Sequence, residues 1–301
     1  MISNIDNILD HYRHHFRLSD ALFVPITHAY TNVAIVYTIE TAHGARYILK
    51  ICSNAKDYRN ECYFLKYFER VLPVPQLIDT CQPTSDIPGA LLMTYIPGEL
   101  LQATALTDTT VYQMGQLLAR IHADPIVRHS HSAISNEEKD LRTFFSFKIY
   151  EALEECSLQL PPSFIDQCHQ FYAAQQHLLD AVDGPCVTHR DFGPRNILVH
   201  NNTVSGIIDW SSASTTFAEE DFCFLEHHEY PVDSQHKQAF LSGYASIRAV
   251  PDYQRIMPLL LFSKALSIVG FSIKRDLWKT TMASDYQESY TVLNKLIQQK
   301  T

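Results

Sequence analysis

Apolar positions first recur at helical spacing over residues 5–16 (Ile5, Ile8, Leu9, Tyr12, Phe16), with Asn4 placed as a candidate N-cap. The texture then changes. Leu22–Val24, Val33–Ile39 and Tyr47–Cys52 are dense in β-branched and aromatic residues, and His43-Gly44 marks a turn between the last two. Residues 54–71 return to a helical period. Val74-Pro75 opens a short extended piece, and residues 90–96 form an apolar strand that stops at Pro97-Gly98. Beyond that break the pattern is mainly helical: an amphipathic run over 107–122, a longer one over 161–182 with proline in its first turn, and others over 234–248, 253–275 and 285–299. Between them lie two short apolar runs, Ile197–Val199 and Val204–Ile208, with Asn201-Asn202 as the hairpin turn. The pattern predicts an α+β chain. Residues 1–96 form a β-rich lobe with an internal helix, and residues 97–301 form a larger, mostly helical lobe with a small β insert.

Charge changes this picture by dividing unevenly. Residues 1–96 hold eight lysines and arginines against nine acids, and the rest hold sixteen against twenty-four, so most of the net −9 lies in the larger lobe. That balance argues against a nucleic-acid surface and suits neutral or cationic partners. The seven cysteines are odd in number and never form Cys-x-x-Cys, which points to reduced thiols of a cytoplasmic protein. The first residues lack the basic and apolar regions of a signal peptide. The apolar stretch Met257–Ile273 is interrupted by Lys264 and several serines, which favours a buried helix over a membrane span.

The strongest chemical signal is Thr188-His189-Arg190-Asp191-Phe192-Gly193-Pro194-Arg195-Asn196, followed by Ile207-Ile208-Asp209-Trp210. Asp191 is the candidate base, able to accept a hydrogen bond from a substrate hydroxyl and aim it at a phosphate. His189 is read as holding the loop. Asn196 and Asp209 offer a neutral and an anionic oxygen to Mg²⁺, Asp209 at the exit of an apolar strand. Asp191-Phe192-Gly193 spells the metal-binding tripeptide of protein kinases, but it sits directly after His-Arg, so the metal carboxylate is assigned to Asp209. Any one of these acids alone would read as a cap or turn residue; the joint spacing carries the inference.

Lys50 lies inside the apolar Ile48–Ile51, where a charge is costly unless paired. Glu61, on the seam Tyr58, Glu61, Leu65, Phe68, is the candidate partner; the alternative is an edge strand with the ammonium in solvent. Thr31 and Asn32, in a glycine-free loop, are candidates for covering nucleotide phosphates, with an ordinary turn as the alternative. Met93, Thr94 and Ile96 would line an adenine slot at the Pro-Gly break. Glu219, Glu220, Glu226 and Glu229 belong to a run of six carboxylates with no lysine or arginine, read either as the approach for a cationic acceptor or as a solvated face. His11, His14 and His15 share a short stretch, but no nearby carboxylate or thiol completes a metal set, so they read as a solvated helix face.

Together these residues, with the helix ending Leu117-Leu118-Ala119-Arg120-Ile121-His122, resemble the aminoglycoside phosphotransferase family of the protein-kinase-like superfamily, which includes choline kinases and related small-molecule kinases. The resemblance implies a bilobal kinase-like fold with an antiparallel sheet in the first lobe. It also implies ATP or GTP with Mg²⁺ as co-substrate and cofactor, and O-phosphorylation of a small hydroxylated molecule. The leading acceptor is a cationic aminoglycoside-type antibiotic, which would make the chain a resistance kinase. A choline, sugar or homoserine-like acceptor is the alternative, and a non-catalytic binding module stands behind both. Arg195 is a candidate charge near the γ-phosphate. No membrane or nucleic-acid partner is expected, and the protein is expected to be a monomer or weak dimer. The sequence departs from the family pattern in having Thr31-Asn32 where Ser-Asn is usual and in having Arg190 at a place that is often small.

Overall fold

The computed structural model describes residues 5–26, 34–123, 141–226 and 233–298. Helix α1 (Ile5–His15) leads into a five-stranded antiparallel sheet of β1 (Leu22–Pro25), β2 (Ala34–Glu40), β3 (Arg46–Cys52), β4 (Leu77–Cys81) and β5 (Ala90–Thr94), in the order β1-β2-β3-β5-β4. Gly44 takes φ +77° in the β2–β3 turn, a conformation that favours glycine. Between β3 and β4 runs α2 (Ala55–Phe68), started by Asn54, whose side-chain oxygen accepts from the amides of Lys56 and Asp57.

Alternation along β3 sets the two faces of the sheet. Leu49 and Ile51 join Tyr12, Phe16 and Ile39 in an apolar layer under α1. Lys50 points the other way, towards α2, whose Phe64, Leu65 and Phe68 merge with the core of the helical region. β3 lies in the middle of the sheet, so Lys50 is not on an edge.

Pro97-Gly98 connects the sheet to the rest of the chain. Gly98 has φ +136°, and a Cβ there would stand 2.7 Å from the carbonyl oxygen of Val199. Only a residue without Cβ lets this link lie so close to the hairpin of β8 (Ile197–His200) and β9 (Thr203–Ile207). The hairpin's turn residues, Asn201 and Asn202, are both left-handed (φ 50° and 59°). β6 (Glu99–Leu100) pairs with β8 to make a three-stranded sheet, and β7 (Cys186–Thr188) pairs with β10 (Ser214–Thr216).

The helical region comprises α3 (Asp108–Ala123), α4 (Leu141–Ser157), α5 (Pro162–Gln175), α6 (Ser234–Ala245), α7 (Tyr253–Lys274) and α8 (Ala283–Gln298). α3 and α6 cross through Gly115 and Gly243 with almost no room between backbones. α7 is long and apolar enough to span a membrane by length and composition, but 67% of its window is buried inside the protein. Two expectations change. The predicted helix over 161–182 is α-helical only to Gln175 and tightens into a 3₁₀ segment, Gln176–Ala181. α4 escapes the periodicity because its apolar residues are not confined to one seam: Phe145 and Ile149 are buried, while Phe147 and Tyr150 are exposed.

Candidate functional site

Lys50 Nζ donates to Glu61 Oε2 and to Asp209 Oδ1, each at 2.7 Å. The expected Lys–Glu pair is therefore present, and the carboxylate that ends β9's extension completes it from the other side. Burial pulls the Lys50 pKa down, but the two carboxylates more than offset this and hold it above the usual lysine range. Burial likewise raises Asp209, and Lys50 with the hydroxyl of Ser211 (2.8 Å) outweighs it, so this carboxylate stays well below its ordinary value. Asp209 sits at φ +63°, a strained conformation of the kind that persists where the surroundings over-determine it. Asn60 on α2 donates to the carbonyl of Ser211 (3.0 Å), and Trp210, fully buried, packs on Phe68 and His189 at 4.9 and 4.7 Å.

A second group lies one hydrogen bond away. His189 Nε2 donates to the carbonyl of Ile208 (3.1 Å), and the Ile208 amide donates to the carbonyl of Asn196 (3.0 Å). These bonds tie the segment carrying Asp191 and Asn196 to the one carrying Asp209. Asn196 turns its amide nitrogen to Asp191, donating to the backbone oxygen at 2.8 Å and to Oδ2 at 2.9 Å. Neither bond uses the amide oxygen, the atom a cation needs. An ionised carboxylate and an amide oxygen on bonded segments fit a hard divalent cation. Arg195 pairs directly with Asp191, so its charge is placed on the candidate base.

The loop is held from beneath by Asp221. Its carboxylate accepts from the amides of His189 (2.7 Å) and Arg190 (2.6 Å) and lies 3.1 Å from His122 Nε2. Arg190 is left-handed (φ +63°), so a buried anion clamps a strained backbone next to the candidate base. In the sequence Asp221 belongs to the acidic run, with a structural role as its alternative reading. His122, the end of the family-like helix, is now seen to face it.

The acidic run turns inward. Glu219 is buried and accepts from the Asp183 amide at 3.0 and 3.1 Å. Glu220 accepts from Thr216 Oγ1 (2.6 Å) and pairs with Lys148 and Arg190, each at 3.5 Å. Glu226 pairs with Lys237, and Asp233 caps α6 through the His236 amide. Glu219, Glu220 and Glu226 are each engaged within the protein, which corrects the cationic-approach expectation for them, while Asp233 stays exposed at its helix start. Glu229 lies outside the described residues, as do Thr31 and Asn32 of the expected phosphate loop. At the candidate adenine slot, Met93 is buried, and Thr94 commits its amide and its hydroxyl to Gln76 (both 2.9 Å). The side chain of Ile96 rests beside Gly206. Away from the site, Cys81 Sγ stands 3.6 Å from His11 Nε2 and close to His15, a thiol that local sequence could not have supplied, while His15 Nε2 is engaged by the Thr80 carbonyl at 3.1 Å.

An antiparallel sheet with an internal Lys–Glu pair, joined by a short link to a helical region that carries a base loop and a second acid, is the framework of a kinase-like phosphotransferase. Residues 24–259 match the phosphotransferase enzyme family (APH), and the chain belongs to it. The homoserine kinase of Gluconobacter oxydans (strain 621H) is 26% identical over 196 residues, covering 61% of this chain and 58% of that protein. The chain thus matches little more than half the length of that relative. Among solved structures, a thermostable mutant of aminoglycoside phosphotransferase APH(4)-Ia with ADP and hygromycin B aligns over 99% of this chain and 100% of that one, with TM-score 0.71 and 12% identity. The gentamicin complex of APH(2″)-IIa aligns over 98% and 96%, with TM-score 0.72 and 15% identity. These likenesses establish the shared fold.

Proposed function

We propose that the protein transfers the γ-phosphoryl group of ATP or GTP to a hydroxyl of a small molecule, with Mg²⁺ as cofactor, and that residues 1–96 and 97–301 act as the nucleotide lobe and the acceptor lobe. The observation that carries this reading is the Lys50 ammonium held between Glu61 and Asp209 at 2.7 Å, within two hydrogen bonds of the Asp191–Asn196 pair. Lys50 then binds nucleotide phosphate oxygens while Glu61 fixes its direction. Asp209 and Asn196 hold the metal, which when bound offsets charge on the phosphates. Thr31 and Asn32 cover the phosphates. Thr94 is committed to Gln76, so the backbone at Tyr95–Ile96, after Met93, is left to pair with the base edge.

In the transfer, the acceptor oxygen bonds to the γ-phosphorus as the bond from that phosphorus to the β–γ bridging oxygen breaks, leaving a nucleoside diphosphate. The hydroxyl proton goes to Asp191, and Arg195 beside it orients the carboxylate and offsets its charge. The aminoglycoside-type acceptor is supported by neighbours that share the fold, and the homoserine-like acceptor by the partial match to a homoserine kinase. Asp191→Ala is expected to lower acceptor-dependent diphosphate release by at least about 10³-fold while leaving Mg-nucleotide affinity within a few-fold. Turnover at the wild-type rate would remove Asp191 from the reaction.

A further inference from the structure

Next to Asp191 the helical region encloses a cavity of about 180 Å³, below the roughly 300–1,000 Å³ of pockets for drug-sized ligands. Its polar lining is mainly donors. Lys148 comes from α4, Arg190 from the base loop, and Ser263 and Lys264 from α7. The two acids beside Asp191 are spent inside the protein: Asp221 on the amides of His189 and Arg190, and Glu220 on Thr216, Lys148 and Arg190. Lys264, in the largely apolar middle of α7, has no hydrogen-bond or ion-pair partner among the described residues. Ser263 is 1% exposed, and its hydroxyl has no hydrogen-bond partner among the described residues. The unpaired buried hydroxyl is costly unless a ligand completes it, and the half-buried Lys264 ammonium on the same cavity wall is available to an anion. Burial pulls Lys148 below its ordinary value, with Glu220 opposing this and Arg190 adding to it. Among the described residues, a polycationic acceptor would meet Lys264 and the Glu220-paired Lys148 and Arg190, and no unpaired carboxylate.

Resting on the phosphotransfer reading above, we propose that the acceptor is a small hydroxylated carboxylic acid, its carboxylate taken by Lys264, Arg190 and the Ser263 hydroxyl and its own hydroxyl presented to Asp191. The carboxylate neutralises the spare charge of Lys264 on that wall. Lys148 stays with Glu220 and holds Arg190 in place through that shared acid.

The test is acceptor-dependent diphosphate release by the full chain with ATP and with GTP. One panel holds hydroxy acids (serine, threonine, homoserine, glycerate, 3- and 4-hydroxybutyrate), a second their amides, and a third kanamycin, gentamicin, streptomycin, hygromycin B and choline. The expected result is turnover of at least one acid, with kcat/KM at least about tenfold above its amide and above every cation. Lys264→Met is expected to raise KM for that acid about 10- to 100-fold with nucleotide affinity unchanged, Lys264→Arg to recover most of it, and Ser263→Ala to give a smaller rise. Release from amides or cations in preference to acids, release from none of the acids, or an unmoved KM in Lys264→Met overturns the proposal. Failure of the phosphotransfer reading looks different: Mg-nucleotide does not bind, and no panel gives release.

Discussion

Replacing Asp221 by alanine removes an acceptor that serves two backbone amides at 2.6 and 2.7 Å and a histidine at 3.1 Å, from a site only 3% exposed. Hydrogen bonds to a charged acceptor contribute about 1.5–3 kcal/mol each, and the two amides are left with no partner in a buried place. Counting the amides alone, the loss is about 3–6 kcal/mol, a large part of the roughly 5–15 kcal/mol that stabilises a typical domain. Asp221→Asn retains one acceptor oxygen but sets its NH₂ against a donor, so about half that loss is expected. At about 2–4 °C per kcal/mol, the alanine variant melts on the order of 10 °C lower. The same change frees the left-handed Arg190 beside Asp191, so turnover falls in protein that is still folded at low temperature. Urea denaturation followed by the fluorescence of Trp210 and Trp278, together with steady-state kinetics well below the melting point, measures both effects. A variant within about 0.5 kcal/mol of the wild type would refute the clamp.

Lys50→Met leaves Glu61 buried without its cation, with an expected cost of about 3–5 kcal/mol in urea denaturation; adding Glu61→Gln should recover part of that cost, and strict additivity would mean that the pair does not interact. Gly243→Ala and Gly115→Ala place a Cβ 2.0 Å from the Tyr112 oxygen and 2.1 Å from the Phe240 oxygen, so each is expected to destabilise by about 1–3 kcal/mol or more; an unshifted melting curve would show that α3 and α6 separate freely. The Asp209 carboxylate sits below its ordinary value of 3.8 in the folded protein. Its contribution is therefore complete above that value and is lost as pH falls through the lower folded value. Denaturation from about pH 6 to about pH 2 should show a shallower acid decline in Asp209→Asn, and parallel profiles would contradict the pairing.

Spacing made the site's parts legible. His189-x-Asp191 with Asn196, Asp209 at a strand exit, and Lys50 with Glu61 on a helical seam are local patterns, and the structure brings them within hydrogen-bonding reach of one another. The cavity beside Asp191 was not legible, because Lys148 and Lys264 lie on α4 and α7, and only packing places them together. For the same reason the acidic run misled. Composition gives its charge, but which way Glu219 and Glu220 turn depends on partners at Asp183, Thr216, Lys148 and Arg190. α4 went unseen because a helix with apolar residues on its exposed side carries no clean period. Asp221 was visible as an acid, but its role depends on two amides more than thirty residues away.

In the proposed function, Lys50, Asn196 and Asp209 form a magnesium-dependent nucleotide site. Calorimetric titration of wild type and Asp209→Ala with ATP and GTP, with and without Mg²⁺, tests it most directly. Tight binding that needs the metal in the wild type, and an affinity at least about tenfold weaker in the variant, is the predicted result. Metal-independent binding, or equal affinity in the two proteins, would contradict it.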